Sequence, residues 1–467
     1  MGKYTFPTLK KKPAIAEVFV NKTPLDDWIA RKIGMKPGTL NRSAIERYQL
    51  AQLRHTLALV RENSLFYQAQ LAEVNPKNIT SFSRFAELPF TYEQNIRDTP
   101  NLFICTSQGE IERIVSLRSS GTTGEPKRTF FTKEDQELTL DFFNYGMRNL
   151  VGPADRILIL LPGELPGSVG DLLRTALIRM GANPISYGPV YDAADAIMTA
   201  LEHRVNAVVG IPTQVLKMAR DQNGLKLEGK IKSVLLTTDY VPKAIAQAIE
   251  GRWLCKVFNH YGMTEMGLGG GVQCQARSGY HMREADLYFE IVDPDTGKPQ
   301  PEGELGEVVF TTLTRKGMPL IRYRTGDLGR FFSECCPCGS VLRSMEPVKG
   351  RVSGRRKIAG KWLSIAELDE VLFQVDGIVN YSCQISETEE KEILTLDLIK
   401  AEGEQVSPPT LKKEVRQALT TITAIGNGSH LKPLEIVIRI SQTNLPVSKG
   451  TSKRRILDLR SLEKPES

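Results

Sequence analysis

No stretch of this chain approaches the roughly 20 uninterrupted apolar residues that a membrane-spanning helix needs, so no span is expected. The first residues, Met1-Gly2-Lys3-Tyr4-Thr5-Phe6, contain no apolar run of the kind a secretory leader uses. Gly2 is not followed by Ser or Thr at the sixth position, which argues against N-myristoylation. Internal repeats and low-complexity tracts are absent. Cysteine is scarce: seven in 467 residues, an odd number, with three crowded into Cys335-Cys336-Pro337-Cys338. That excludes a disulfide framework and reads as reduced, cytoplasmic thiols able to bind metal. The net charge of +7 is mildly basic and suits anionic small molecules. No basic repeat or aromatic platform favours nucleic acid. The clusters Lys10-Lys11-Lys12 and Lys453-Arg454-Arg455 read as solvated faces.

What is present is ordinary globular composition, 41% hydrophobic and 25% charged, at a length that implies two or more domains. Residues 43–72 carry leucines at helical recurrence, and residues 79–96 form a polar, loop-rich approach. Short apolar runs at 156–161, 183–187, 205–210 and 231–237 alternate with helix-like segments such as 171–181, the pattern of a parallel α/β sheet. From residue 286 to 331, β-rich pieces (287–292, 307–312) separated by turns imply an antiparallel sheet or small barrel. After Gly350-Arg351 the order is strand, helix (364–374), strand (393–399), helix (409–420), strand (434–440). The expected fold class is α/β. Residues 1–350 would form a large N-terminal domain of parallel α/β sheets plus a small β-barrel-like subdomain. Residues 351–467 would form a small mobile α+β C-terminal domain, hinged at the polar segment Val352-Ser353-Gly354-Arg355-Arg356.

The most informative segment is Ser119-Ser120-Gly121-Thr122-Thr123-Gly124-Glu125-Pro126-Lys127. Glycines let backbone N–H groups approach an anion, hydroxyls add donors and the lysine adds charge, which is the chemistry of a polyphosphate loop. Its spacing fits neither the P-loop nor the dinucleotide glycine fingerprint. A plain surface loop is the alternative for such a segment alone. Its residue order, however, resembles the phosphate loop of the adenylate-forming superfamily (acyl-CoA synthetases, adenylation domains, luciferases). Tyr261-Gly262-Met263-Thr264-Glu265 is similar to that superfamily's Y-G-x-T-E. Tyr323 to Arg330 resembles Y-x-T-G-D-x-x-R, and Gly350-Arg351 opens a segment similar to G-R-x-D-D…G…E. Pro446 to Arg455 resembles P-x-x-x-x-G-K. The branch it looks most like is that of phenylacetate–CoA ligase and coenzyme F390 synthetase.

The resemblance implies an AMP-forming acid–thiol ligase using a small-molecule carboxylic acid, ATP, Mg²⁺ and CoA, with a homodimer left open. It implies that Ser119, Ser120, Gly121, Thr122, Thr123, Gly124 and Lys127 hold the β- and γ-phosphates, and that Thr264 bonds the α-phosphate. Glu265 would bind Mg²⁺, and Tyr261 would lie against the adenine. Asp327 would accept the ribose hydroxyls with Arg351 beside it, and Asp239 would stand in the adenine-side loop, where only the acidic residue matches. Plain turns and a helix-capping carboxylate are the alternatives for these residues taken singly.

Cys274 and His281, with Cys336-Pro337-Cys338, supply thiolates and an imidazole for a tetrahedral structural zinc site, the resemblance pointing the same way; free thiols are the alternative. Where the superfamily has its C-terminal G-K lysine this chain has Gly450-Thr451, with Lys449 and Lys453 as substitutes able to reach the site. Ser353-Gly354 replaces the paired aspartates. Two other readings therefore stay open: an adenylate-forming enzyme with a non-CoA acceptor (a deazaflavin hydroxyl, an amine or a carrier protein), and a non-catalytic nucleotide-binding homologue. The acyl pocket is expected among 187–190, 210–213 and 260–262.

Overall fold

Strand character and helix caps place the site. The computed structural model describes residues 21–117, 126–403, 405–426, 432–441 and 454–460. Strands β1 (Ile111–Leu117) and β2 (Lys127–Thr132) form an antiparallel ribbon in which Leu117 faces Lys127. The ribbon thus holds both ends of the hydroxyl- and glycine-rich segment; Ser119 to Gly124 themselves lie outside the described residues. Thr132 ends β2 and caps the helix Lys133–Met147 in a reciprocal box with Asp135. The Asp135 carboxylate also accepts the N–H groups of Lys316 (2.8 Å) and Gly317 (2.9 Å), tying a distant loop to this helix start.

The apolar runs read from the sequence become β3 (Arg156–Ile159), β4 (Asn183–Ser186), β5 (Ala207–Gly210) and β6 (Ser233–Leu236), followed by β7 (Lys256–Tyr261). They pair in parallel in the order β4-β3-β5-β6-β7. Alternate residues enter two separate cores, as the two-residue period of a strand buried on both faces requires. Leu158, Val208, Val234 and Val257 join one core, and Ile157, Ile159, Val209 and Phe258 join the other. The sheet is mixed rather than purely parallel. β8 (Gly271–Gln273), β9 (Tyr280–Met282) and β13 (Ser344–Met345) extend it antiparallel beyond β7 to eight strands. β7 to β8 and β8 to β9 are joined by short connections, which cannot make the crossover that a parallel pair needs, while β13 returns to the edge only after β10, β11 and β12.

A second sheet joins β10 (Leu287–Val292), β11 (Gly306–Thr312), β12 (Tyr323–Gly329) and β14 (Gly350–Arg351) in that order, all antiparallel. It is a four-stranded sheet with two edges among the described residues. The expected long helix 43–72 is also interrupted: Ser64 turns extended and caps Leu65–Gln70 after Arg42–Asn63 ends.

The C-terminal domain has a hairpin, β15 (Arg355–Ile358) and β16 (Lys361–Ser364), and a four-stranded sheet. That sheet contains β17 (Ile378–Glu387), β18 (Glu392–Lys400), β19 (Leu434–Ser441) and β20 (Ile456–Asp458) in the order β19-β18-β17-β20. Helices Ile365–Leu372 and Pro408–Leu419 pack on it. This domain is docked, with its Leu368, Leu372, Phe373 and Ile378 in the same apolar cluster as Leu216, Ile249 and Trp253 of the large domain. Arg220 crosses the junction, donating to the carbonyls of Phe373 (2.8 Å) and Val375 (3.2 Å). No helix among the described residues is long and apolar enough to cross a membrane.

Candidate active site

Three elements that are far apart in sequence meet beside the carboxyl end of β7. The chain leaves β7 at Tyr261 and makes a tight turn, Thr264–Met266, closed by Gly267 in the left-handed region. The turn carries Glu265 inward, where it is 2% exposed. Lys127, the first residue of β2, places its ammonium directly on the Glu265 carboxylate and 3.5 Å from Glu93. The Tyr323 hydroxyl donates to Glu265 from β12 at 3.4 Å, and Arg315 donates to the Glu265 carbonyl at 2.7 Å. Burial, then the Glu265 charge, pushes the Tyr323 phenol well above its ordinary range, so it stays a donor. Thr264 is half-buried at the opening of the same turn.

A second carboxylate lies along the same strand β12. Asp327 accepts from the Tyr261 hydroxyl (3.1 Å) and pairs with Arg351 Nε (3.1 Å). Asp327 and Arg351 stand directly opposite one another in the β12–β14 ladder, which fixes their meeting. Gly326 makes the approach possible. Its φ is +74°, and a Cβ there would sit 3.2 Å from the Arg351 guanidinium. The Tyr261 ring stacks on Tyr280 at 5.8 Å.

Beyond β6, Thr238 takes φ +79°, which for a β-branched residue costs on the order of 1–3 kcal/mol and persists only when its surroundings enforce it. Its neighbour Thr237 exchanges a 2.8 Å hydrogen bond with His260 Nδ1, while His260 Nε2 is buried without a partner among the described residues. Burial pushes the His260 imidazole down from 6.5 to about 4. The unfolded chain therefore binds the extra proton first as pH falls between those values, so acid favours unfolding. His260→Gln is expected to remove on the order of 3 kcal/mol of the stability lost between pH 7 and pH 4. Urea unfolding at pH 7, 5.5 and 4.5 checks this, and identical pH slopes for both proteins would refute it.

Asp239 does not face open solvent. Arg454 Nη1 lies 3.4 Å from it, while Nε and Nη2 of the same guanidinium grip both oxygens of Asp369 at 3.0 Å. Arg454 was expected on a solvated face. It is instead 10% exposed, because two carboxylates from different domains compensate its desolvation. Lys449 and Lys453 lie outside the described residues.

The thiol–imidazole set is also brought together. Cys274 follows β8, His281 lies in β9, and Cys336 and Cys338 precede β13. All four are buried, with their donor atoms within 4.8 Å of one another. Cys274 Sγ and Cys336 Sγ are 3.6 Å apart, and Cys338 Sγ is 3.3 Å from His281 Nε2. A tetrahedral centre with ~2.3 Å metal–sulfur and ~2.0 Å metal–nitrogen bonds has edges of about 3.5–3.8 Å, so the set fits a zinc ion. Two similar turns present the thiolates: Arg277 N–H returns to the Cys274 carbonyl, and Gly339 N–H to that of Cys336. Cys335 is exposed and stands apart.

Sequence reasoning missed Glu93, Arg315 and Arg454. Glu93 sits in the polar approach, and only its helix start marks it; Arg315 carried no pattern, and Arg454 stood in a basic run that reads as a solvated face.

Against known proteins, a family profile described as AMP-binding enzyme matches residues 113–313. The phenylacetate–coenzyme A ligase of Thermus thermophilus is 29% identical over 445 residues, covering 90% of this chain and 98% of that protein. Its Escherichia coli counterpart is 28% identical over 351 residues, covering 72% and 77%. The solved structure of a 2-hydroxyisobutyryl-CoA ligase in the postadenylation state, with its acyl-AMP bound, superposes with a TM-score of 0.76 at 19% identity over 91% of each chain. With the profile spanning β1 to β11 and the ligase likeness running almost end to end, the chain is similar to adenylate-forming enzymes over nearly its whole length and is an enzyme of the AMP-forming acid–thiol ligase type.

Proposed function

We propose that this enzyme activates an aryl or other small organic acid as its acyl-adenylate and transfers the acyl group to CoA, in the manner of a phenylacetate–CoA ligase. The observation that carries the reading is the pair of buried carboxylates gathered at strand β12. Glu265 is neutralised by Lys127, and Asp327 is framed by Tyr261 and Arg351.

In the first step a substrate carboxylate oxygen attacks the α-phosphorus of ATP, and pyrophosphate leaves. Lys127 and the loop Ser119 to Gly124 hold the β- and γ-phosphates, and Thr264 bonds the α-phosphate. Glu265, a single buried carboxylate on a lysine, has the donor set that Mg²⁺ takes together with phosphate oxygens. Bound there, the ion supplies charge neutralisation at the reacting phosphate. When phosphate oxygens take the Lys127 ammonium, Glu265 is released from its ion pair to serve that role. Asp327 accepts the ribose hydroxyls, with Arg351 paired to it. In the second step the CoA sulfur attacks the acyl carbon, and AMP leaves. Positioning and fixed charge carry both steps. Zinc at Cys274, His281, Cys336 and Cys338 is structural, closing the antiparallel end of the large sheet.

AMP release from ATP and Mg²⁺, measured across aryl and short aliphatic acids with and without CoA, tests the reading. Release that requires an acid and becomes multiple-turnover only with CoA is the expected result. Acid-dependent release indifferent to CoA would move the acceptor to another nucleophile, and no release with any acid would overturn the proposal.

A further inference from the structure

The strained turn after β6 is held from the other domain. Asp239 meets Arg454 of the C-terminal segment, and that guanidinium is seated bidentately on Asp369 of the helix Ile365–Leu372. The Tyr381 hydroxyl donates to Asp369 at 2.6 Å, so the carboxylate is fixed from behind. The next residue of that helix, Glu370, accepts from the Tyr240 hydroxyl at 2.5 Å and from the N–H groups of Lys243 (2.9 Å) and Ala244 (3.2 Å). Helix Lys243–Trp253 begins at Pro242 without a side-chain cap of its own, so Glu370 satisfies its orphan donors. Adjacent acidic residues of one C-terminal helix thus hold Asp239, through Arg454, and Tyr240. The held turn follows a parallel strand at the sheet's carboxyl edge, where open α/β sheets take their ligands.

We propose that Arg454 is a positioning residue of the nucleotide site: from the C-terminal domain it holds Asp239, and with it the Thr237–Tyr240 turn, in the conformation that receives the base. Nucleotide affinity and docking of the C-terminal domain are then linked, each strengthening the other by the same factor. The inference rests on the reading of this turn as the adenine-side loop.

The test is AMP affinity by calorimetry on the full chain, which needs no acid and no CoA. Arg454→Ala and Asp239→Asn are each expected to weaken AMP binding about tenfold. The double variant is expected to lose no more than either alone, since the two groups act as one unit. Arg454→Lys should recover part of the affinity, keeping the charge but not the fork. Unchanged AMP affinity in Arg454→Ala, or single losses that multiply in the double variant, would overturn the proposal. Wild-type protein that binds no AMP overturns the nucleotide-site reading itself and this inference with it. Should Arg454→Ala fail to fold, Asp239→Asn decides, because it leaves the Arg454–Asp369 pair intact. Hydrogen exchange should then quicken together in 237–244 and 365–372, and quickening confined to 237–244 would count against the link.

Discussion

Glu265→Gln is expected to lower AMP release by on the order of 10²–10³-fold while leaving AMP binding nearly unchanged. The substitution keeps shape and the Tyr323 contact but removes the charge that sits on Lys127. Two consequences combine. Lys127 loses its buried counter-ion and, among the described residues, is left with Glu93, at 3.5 Å and more exposed, so its position loosens. The carboxylate proposed to hold Mg²⁺ is also removed. Neither consequence touches Asp327, Tyr261 or Arg351, the groups proposed to receive the nucleoside, so AMP recognition is expected to persist. Initial rates at saturating ATP and acid, paired with AMP calorimetry, separate the two halves of the site. A variant within about threefold of wild type in AMP release would remove Glu265 from the chemistry.

The second large effect concerns the thiol–imidazole cluster. Protein purified without a histidine tag is expected to carry close to one zinc per chain. Cys338→Ser is expected to lose the metal and to lower the thermal midpoint by on the order of 10 °C. The cluster joins the turn after β8, strand β9 and the loop before β13, so its loss frees the edge of the large sheet that adjoins Tyr280 and therefore Tyr261. Exposed Cys335 provides the control, since Cys335→Ser should retain both metal and midpoint. Metal analysis showing well under one zinc per chain in the wild type would reduce the cluster to packed thiols.

The parts of the fold legible in the sequence were those with a strong local period. β10 and the helix after Ser364 were visible because apolar spacing, turn residues and a Ser-x-x-Glu box all agree there. β17 was passed over although Ile378 to Glu387 alternates buried and half-buried positions; its inward residues include Tyr381 and Cys383, which blur the apolar reading. The long helix failed at Ser64, because a serine reads as neutral inside a helix until its side chain is seen capping the next one.

At the site, the residues carried by compact motifs arrived together: Lys127 with Glu265, Tyr261 with Asp327, Asp327 with Arg351. Glu93, Arg315 and Arg454 did not announce themselves, since each contributes one group across a long loop closure that no spacing encodes. Arg454 was misread because a run of three basic residues looks solvated from sequence alone. Only the tertiary placement of Asp239 and Asp369 makes burying one of them favourable.

The apolar cluster shared by the two domains bears on how this chain can be divided. Helices Pro212–Arg220 and Lys243–Trp253 pack against β17 and the helix Ile365–Leu372. A protein ended at residue 350 would carry that seam bare to water, as a contiguous greasy face flanked by an Arg220 stripped of its carbonyl acceptors. Such a fragment invites self-association whatever its nucleotide pocket retains. Grafting a relative's C-terminal half onto this one likewise demands matching the seam residue by residue, not merely choosing a tolerant linker.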